Sequence, residues 1–304
     1  QLPALAQFSI LVNENTLIPE GIAIDSRNGN IYVSSIAKNK ILEISQKGEA
    51  VDFIKTGEAG FLEGLGMKVD TKRNILWALS NKREGKRFTS QIHGFDLDTK
   101  EVRYHHSFSD TLPHLLNDLV IDTYDNLVIT DTYSSGIYIF YPSTKKFELH
   151  ITSPKMRYPN GLAFGKDQQL YVATYGNGLL QIDMNSKAIR QLGGSRDSVV
   201  SHGLDGLVYN DGKLYGVYNA DTSKGSAVVM VYTLDEKNTT IVTEMVLDKG
   251  NPDFFDPTTA AIYDNKLYVI ANSHLDLYNK NGESIIGIEK QLQPLRLLVY
   301  QLKN

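Results

Sequence analysis

A unit of about fifty residues recurs six times along this chain, and that repetition limits the fold more than any other property of the sequence. Its pattern is clearest in Glu20-Gly21-Ile22-Ala23-Ile24-Asp25, followed by a short turn and then Ile31-Tyr32-Val33-Ser34-Ser35. The same order of small, apolar and acidic or amide residues, a turn and an apolar strand begins at Glu20, Leu65, Asn117, Asn160, Asp205 and Thr258, at spacings of 45, 52, 43, 45 and 53 residues. Each copy continues into a third β-like run, from Ile41-Leu42-Glu43-Ile44 in the first to Leu297-Leu298-Val299-Tyr300 in the last. Short Val, Ile and Tyr runs bounded by turns such as Arg27-Asn28-Gly29-Asn30 are the mark of an all-β chain. Repeats of this length with three or four strands each fit propeller blades, whose small sheets bury their faces only against neighbours.

The expected fold is therefore an all-β, six-bladed β-propeller. The last copy runs out of chain before a fourth strand, and Phe8-Ser9-Ile10-Leu11-Val12 stands ahead of the first copy with no partner of its own. That N-terminal strand is expected to complete the last blade. No linker or low-complexity tract interrupts the 304 residues, so a single domain over 1–304 is expected. The longest loops are expected at Asn81 to Ser90, Asn219 to Gly225 and Leu275 to Glu289, and the pair His105-His106 is expected between strands on the surface.

Composition removes several functions. A formal charge of -4 without a dense Lys/Arg stripe argues against nucleic-acid binding, which needs clustered positive charge. No apolar run approaches the ~20 residues of a membrane span. With no Cys there can be no disulfide, no thiolate zinc site and no cysteine nucleophile. Neither a Gly-x-Ser-x-Gly elbow nor a P-loop occurs. A small-molecule substrate and a monomer are the expected partnerships. If Gln1 is a processed N-terminus, an extracytoplasmic location, periplasmic or secreted, is expected.

The first strand of each propeller blade lines the central channel, so the six opening residues should converge. Glu20, Asn117, Asn160 and Asp205 then place two carboxylates and two carboxamides where a packed interior would otherwise stand. Polar groups in such a place need a counter-ion or hydrogen bonds. An all-oxygen set suits a hard divalent cation, with Ca2+ the natural choice and Mg2+, Mn2+ or Zn2+ as alternatives.

In their order and spacing, Pro19-Glu20-Gly21, Leu116-Asn117-Asp118, Pro159-Asn160-Gly161 and Leu204-Asp205-Gly206 resemble the metal-binding positions of the six-bladed propeller hydrolases. That superfamily comprises the senescence marker protein/gluconolactonase (regucalcin) family, bacterial lactonases, paraoxonases and diisopropyl fluorophosphatases. The resemblance implies a metal held by Glu20, Asn117, Asn160 and Asp205, hydrolysis of a lactone or ester, and a double role for Asp205 as ligand and proton acceptor. His114 and His202, each three residues before an expected ligand, are the other candidate bases. Gluconolactonase-type sequences usually carry an Arg two residues before the first metal Asn, and here that position is Leu115. The departure points away from a sugar-acid lactone and towards an apolar approach, lined by Leu115 with Phe61, Leu62, Phe254 and Phe255. Asp131 ends a second strand where other copies carry Ser35, Ser80, Thr174, Tyr218 and Ala271, and with Leu115 it is a candidate for contact with substrate.

Two other readings stay open. The stretch from Asn117 to Thr132 also resembles the royal-jelly/yellow proteins, which implies a non-catalytic, ligand-binding propeller with a structural calcium, of yellow or NHL type. A strictosidine-synthase-like enzyme fits less well, since that group generally lacks the metal ring.

Overall fold

The computed structural model describes residues 6, 8–193, 203–219 and 227–302. Strand β1 (Phe8–Val12) precedes six antiparallel sheets of four strands each. Blade 1 comprises β2 (Pro19–Ile24), β3 (Ile31–Ser35), β4 (Lys40–Ile44) and β5 (Ala50–Ile54). Blade 2 has β6 (Glu63–Asp70), β7 (Ile75–Glu84), β8 (Arg87–Asp96) and β9 (Val102–Asp110). In blade 3 stand β10 (Leu116–Ile121), β11 (Leu127–Asp131), β12 (Gly136–Tyr141) and β13 (Lys146–Thr152), and in blade 4 β14 (Pro159–Phe164), β15 (Leu170–Thr174), β16 (Gly178–Ile182) and β17 (Ile189–Gly193). Blade 5 is β18 (Leu204–Asn210), β19 (Lys213–Tyr218), β20 (Val228–Leu234) and β21 (Ile241–Lys249). Blade 6 is β22 (Ala260–Tyr263), β23 (Lys266–Ile270), β24 (Leu295–Gln301) and β1, which pairs with β24 from Phe8↔Val299 to Val12↔Leu295. The protein is a six-bladed β-propeller closed by its N-terminal strand.

Contacts divide the chain into two compact units. One holds blades 3, 4 and 5, within Pro113–Asn251; the other holds blades 6, 1 and 2, within Leu5–Leu112 and Pro252–Asn304.

Inside each unit the hydrophobic core lies between blades, which explains why inner strands are apolar on both faces. All five residues of β3 are buried. Its Ile31 and Val33 join Ile10, Val12, Tyr268, Ile270, Leu297 and Val299 of blade 6. Tyr32, pointing the opposite way, joins Phe61, Met67, Leu76 and Phe95 of blade 2. The other unit repeats the arrangement between blades 3 and 4 and between blades 4 and 5. Fully burying each such side chain contributes roughly 1.5–3 kcal/mol.

Five first strands carry a β-bulge near their start. The register shifts between Pro19 and Ile22, Gly64 and Met67, Leu116 and Leu119, Pro159 and Leu162, and Leu204 and Leu207. Each bulge therefore contains an opening residue of the repeat and its successor. Backbones come very close there. A Cβ on Gly21 would stand 2.0 Å from the Leu65 carbonyl oxygen, and one on Gly161 would stand 2.5 Å from the Leu207 nitrogen and 2.7 Å from the Asp205 oxygen.

Three sequence expectations are corrected. Asn81 to Ser90 is no loop: β7 and β8 run on as a hairpin to Glu84 and Arg87, turning at Gly85 with φ 63°. The pair His105-His106 lies within β9 and not between strands. Phe61 is 1% exposed and packed in the core under Gly64, so it cannot line an approach from solvent. Between Leu275 and Glu289 the chain forms a short helix, α1 (Leu275–Lys280), while most of the segment from Asn219 to Gly225 lies outside the described residues.

Candidate functional site

The bulges place the expected ligands at equivalent positions, and within each unit they abut. In the unit of blades 3 to 5, the Thr130 hydroxyl accepts from the Asp118 N–H (3.1 Å) and donates to the Asn160 carbonyl (2.7 Å), tying the bulge of blade 3 to that of blade 4. Gly161 in turn lies against the backbone of Asp205 to Leu207. Asn117, Asn160 and Asp205 thus occupy three consecutive, touching bulges. The other unit uses the same clip. Ser34 accepts from the Gly21 N–H (2.9 Å) and donates to the Leu65 carbonyl (2.6 Å), while Thr258 donates to the Glu20 carbonyl (3.1 Å). Thr258, Glu20 and Leu65 are therefore the corresponding trio.

Glu20, Asn117 and Asp205 are buried, at 8%, 7% and 4% exposure, and Asn160 is half-buried. In blades 3 and 5 the residue that follows the second strand orients the ligand beside it. Thr132 spends its proton on the Pro159 carbonyl (2.7 Å), so it can only accept from Asn117, whose Nδ2 donates at 3.1 Å. That fixes the amide and leaves Oδ1 as the atom aimed elsewhere. At the equivalent place in blade 5, Asn219 Nδ2 donates to Asp205 Oδ2 (2.5 Å). Asn219 Oδ1 is buried and has no hydrogen-bond partner among the described residues. Asn219 was not singled out in the sequence; extending the repeat alignment one residue past each second strand would have found it.

A second feature stands beside this trio, on blade 3. His114 Nδ1 lies 2.5 Å from Asp131 Oδ2. Asp131 is fully buried, and its other oxygen accepts from the Leu115 N–H at 2.9 Å. The pairing of Leu116 with Asp131 in the β10–β11 register produces this contact, by bringing the residues before Leu116 over the end of β11. A buried carboxylate that accepts from Nδ1–H keeps the proton on that nitrogen and gives Nε2 the lone pair. Both Asp131 oxygens face protein groups, and Leu115 is half-buried on the same segment. Leu62 and Phe254 are half-buried and Phe255 is 41% exposed. His202 lies outside the described residues. Among those described, no three His, Asp or Glu side chains gather as a metal site, an arrangement distinct from two carboxylates with two carboxamides. No helix there is long and apolar enough to cross a membrane.

Fold and site geometry together define the class as that of the six-bladed propellers. No family model and no curated protein matches the sequence. Solved structures do. A gluconolactonase from Xanthomonas campestris superposes with a TM-score of 0.62 at 15% identity, covering 98% of this chain and 91% of its own. Luciferin-regenerating enzyme gives 0.62 at 13% identity, with 97% and 95% covered. The PQQ-bound aldose sugar dehydrogenase of Streptomyces coelicolor gives 0.63 at 13% identity, with 97% of each chain covered. The fold expected from the gluconolactonase-like resemblance is thus found in these enzymes, and at such identities the likeness is one of fold.

Proposed function

We propose that the protein is a metal-dependent hydrolase of a lactone or ester. The observation that carries this reading is the His114–Asp131 pair, built on the same blade as an expected metal ligand and three residues from it. A structural ion alone does not call for an imidazole with its tautomer fixed by a buried carboxylate.

The donor set supports the metal. Asn117 has its nitrogen committed to Thr132, so its oxygen is the atom available; Asp205 is a buried carboxylate; and Asn219 Oδ1 is a buried acceptor without a donor among the described residues. Asn117, Asn160 and Asp205 would hold the ion. A bound divalent cation would supply Lewis acidity to polarise a carbonyl oxygen.

The chain's own residues do the rest. Asp131 holds the imidazole in one orientation, and His114 Nε2 takes a proton from the attacking water. With Nδ1 held by Asp131, the lone pair on Nε2 is the one that takes the proton. Asp205, held by Asn219, positions the same water and is the alternative base. Leu115 gives the approach an apolar wall, which favours a hydrophobic lactone or ester over a sugar acid.

A screen of lactones, aryl esters and phosphotriesters with added Ca2+, with and without chelator, tests the reading. Turnover that chelator abolishes is expected. Asp131→Asn, which cannot hold the same tautomer, should lower kcat by about a hundredfold or more with little change in Tm. A silent screen with demonstrable metal binding would instead favour the non-catalytic binding propeller.

A further inference from the structure

Blade 4 carries an arginine and a tyrosine where blade 3 carries His114 and Leu115. Arg157 stands three residues before Asn160 and Tyr158 two, as His114 and Leu115 stand before Asn117. The segment is anchored on both sides. Met156 and Pro159 are buried, the Arg157 carbonyl accepts from the Gly176 N–H (3.1 Å), and the Tyr158 carbonyl accepts from the Tyr175 N–H (2.9 Å). Thr132 links it to the apolar wall, donating its N–H to the Leu115 carbonyl (2.9 Å) and its hydroxyl to the Pro159 carbonyl (2.7 Å). Between these anchors Arg157 and Tyr158 are both exposed.

The backbone at Tyr158 is left-handed, with φ 55°, a conformation that is costly for a bulky side chain and that glycine adopts freely. Other repeats use this bend in ways that account for it. In blade 5 the residue is Gly203, with φ 79°. In blade 6 it is Asp256 (φ 56°), a short polar residue whose Oδ2 accepts from the Asp276 N–H at 3.0 Å. In blade 1 it is Ile18 (φ 49°), buried in a cluster with Tyr278, Ile288 and Leu292. Tyr158 gains no such burial, at 46% exposure. A strained residue that packing does not explain points to use. Arg157 is held as well. Its guanidinium lies over the Tyr158 ring, with Cζ 5.7 Å from the centroid, and its stem crosses Gly176, where a Cβ would stand 2.7 Å from both Cγ and Cδ. Among the described residues it forms no ion pair. The N–H donors of a positioned guanidinium match a carboxylate through two parallel hydrogen bonds.

We propose that Arg157 and Tyr158 form a recognition subsite beside Asn160, in which the guanidinium takes a carboxylate carried by the substrate and the Tyr158 ring, with Tyr175 and Leu115, takes its apolar or aromatic body. Tyr175 is 39% exposed and Leu115 half-buried, so both offer surface on the same side of the chain's turn into β14 and β10. The subsite rests on the hydrolase reading for the bond that is cleaved, not for binding. It narrows the class to a lactone or ester of apolar body that carries a second, anionic group.

Binding and turnover test it separately. Phenylacetate and phenylacetamide, which share a ring and linker and differ in charge, are titrated into the full chain by calorimetry or ligand-observed NMR. Wild type should bind the acid about tenfold more tightly than the amide at low salt, and Arg157→Gln should bring that ratio close to one. Other cationic groups near the site act alike in both proteins, so the change in ratio isolates the arginine. Arg157→Lys, which keeps the charge without the planar fork, should keep only part of the preference. Tyr158→Gly relieves the left-handed backbone, so it should weaken both probes alike without lowering Tm; a lower Tm assigns the ring to packing and overturns its part. Equal binding of acid and amide by wild type, binding of neither, or an acid preference that survives Arg157→Gln overturns the subsite, whatever the protein hydrolyses. An acid preference abolished by Arg157→Gln in a protein that turns over no lactone or ester supports the subsite and overturns the hydrolase reading.

Discussion

His93 shows how a single buried side chain sets a pH limit on this protein. The residue is wholly buried, stacked on Phe95 at 5.1 Å, with His105 4.6 Å away across the strand pair and Phe61 edge-on at 5.6 Å. Its Nε2 lies 3.2 Å from the Ala59 carbonyl and must carry the proton there, which leaves Nδ1 a buried acceptor with no hydrogen-bond partner among the described residues. Burial drives its pKa down to about 4, His105 adds to the shift, and the Ala59 carbonyl opposes it. The unfolded chain protonates near 6.5 and the folded one only near 4, so stability is lost as pH falls through that window, by about 3 kcal/mol in all. His93→Phe, which keeps an aromatic ring in the stack, should flatten this loss. Urea midpoints at pH 7 and pH 4.5 for both proteins would show it, and an equal drop in the two would assign the acid sensitivity elsewhere.

At the scale of the strand, the bulge joins fold to site. It turns the opening residue of the repeat and, at Gly21 and Gly161, brings the next residue so close to the neighbouring blade that a side chain there would collide with backbone. Gly161→Ala puts a methyl group 2.5 Å from the Leu207 nitrogen, which cannot yield as a flexible side chain would. The substitution should cost about 2 kcal/mol or more, whereas Gly85→Ala, in an open turn, should be limited to the strain of its φ of 63°. Comparison of their denaturation midpoints checks the difference. The bulges explain part of what was legible in sequence: Glu20-Gly21, Asn160-Gly161 and Asp205-Gly206 set a polar residue before a Gly at the repeat interval, and at Gly21 and Gly161 that Gly is the imprint of a backbone contact. The His114–Asp131 pair was half legible. Asp131 stood out among the residues ending second strands, but its contact with His114 depends on an antiparallel register 17 residues apart. Two elements left no imprint. The hairpin tip from Asn81 to Ser90 has a polar, loop-like composition because it extends beyond the blade and has little apolar surface to bury. Helix α1, with six residues, is too short to establish a 3.6-residue period.

For the molecule as a whole, the decisive fact is that a chain without Cys has to close by pairing alone. Repeat proteins are stabilised by contacts between neighbours, so a terminal blade with an unpaired edge weakens the array from its end. In blade 6 that edge would be β24, whose Leu297, Leu298 and Val299 are all buried beside β1. Ile10 and Val12 also enter the core that blade 6 shares with blade 1, so β1 supplies both hydrogen bonds and packing. Deleting residues 1–12 should therefore do more than fray one strand. It uncovers an apolar strand edge, which invites pairing between molecules, and it opens the core between blades 6 and 1. The expected outcome is a lower, broader thermal transition with concentration-dependent association, seen by calorimetry and light scattering. Ile10→Asp tests the packing component alone: burying an unpaired carboxylate should lower stability by several kcal/mol while the β1–β24 hydrogen bonds can still form. If the truncated protein melts as sharply and as high as the full chain, closure by β1 contributes little to its cooperativity.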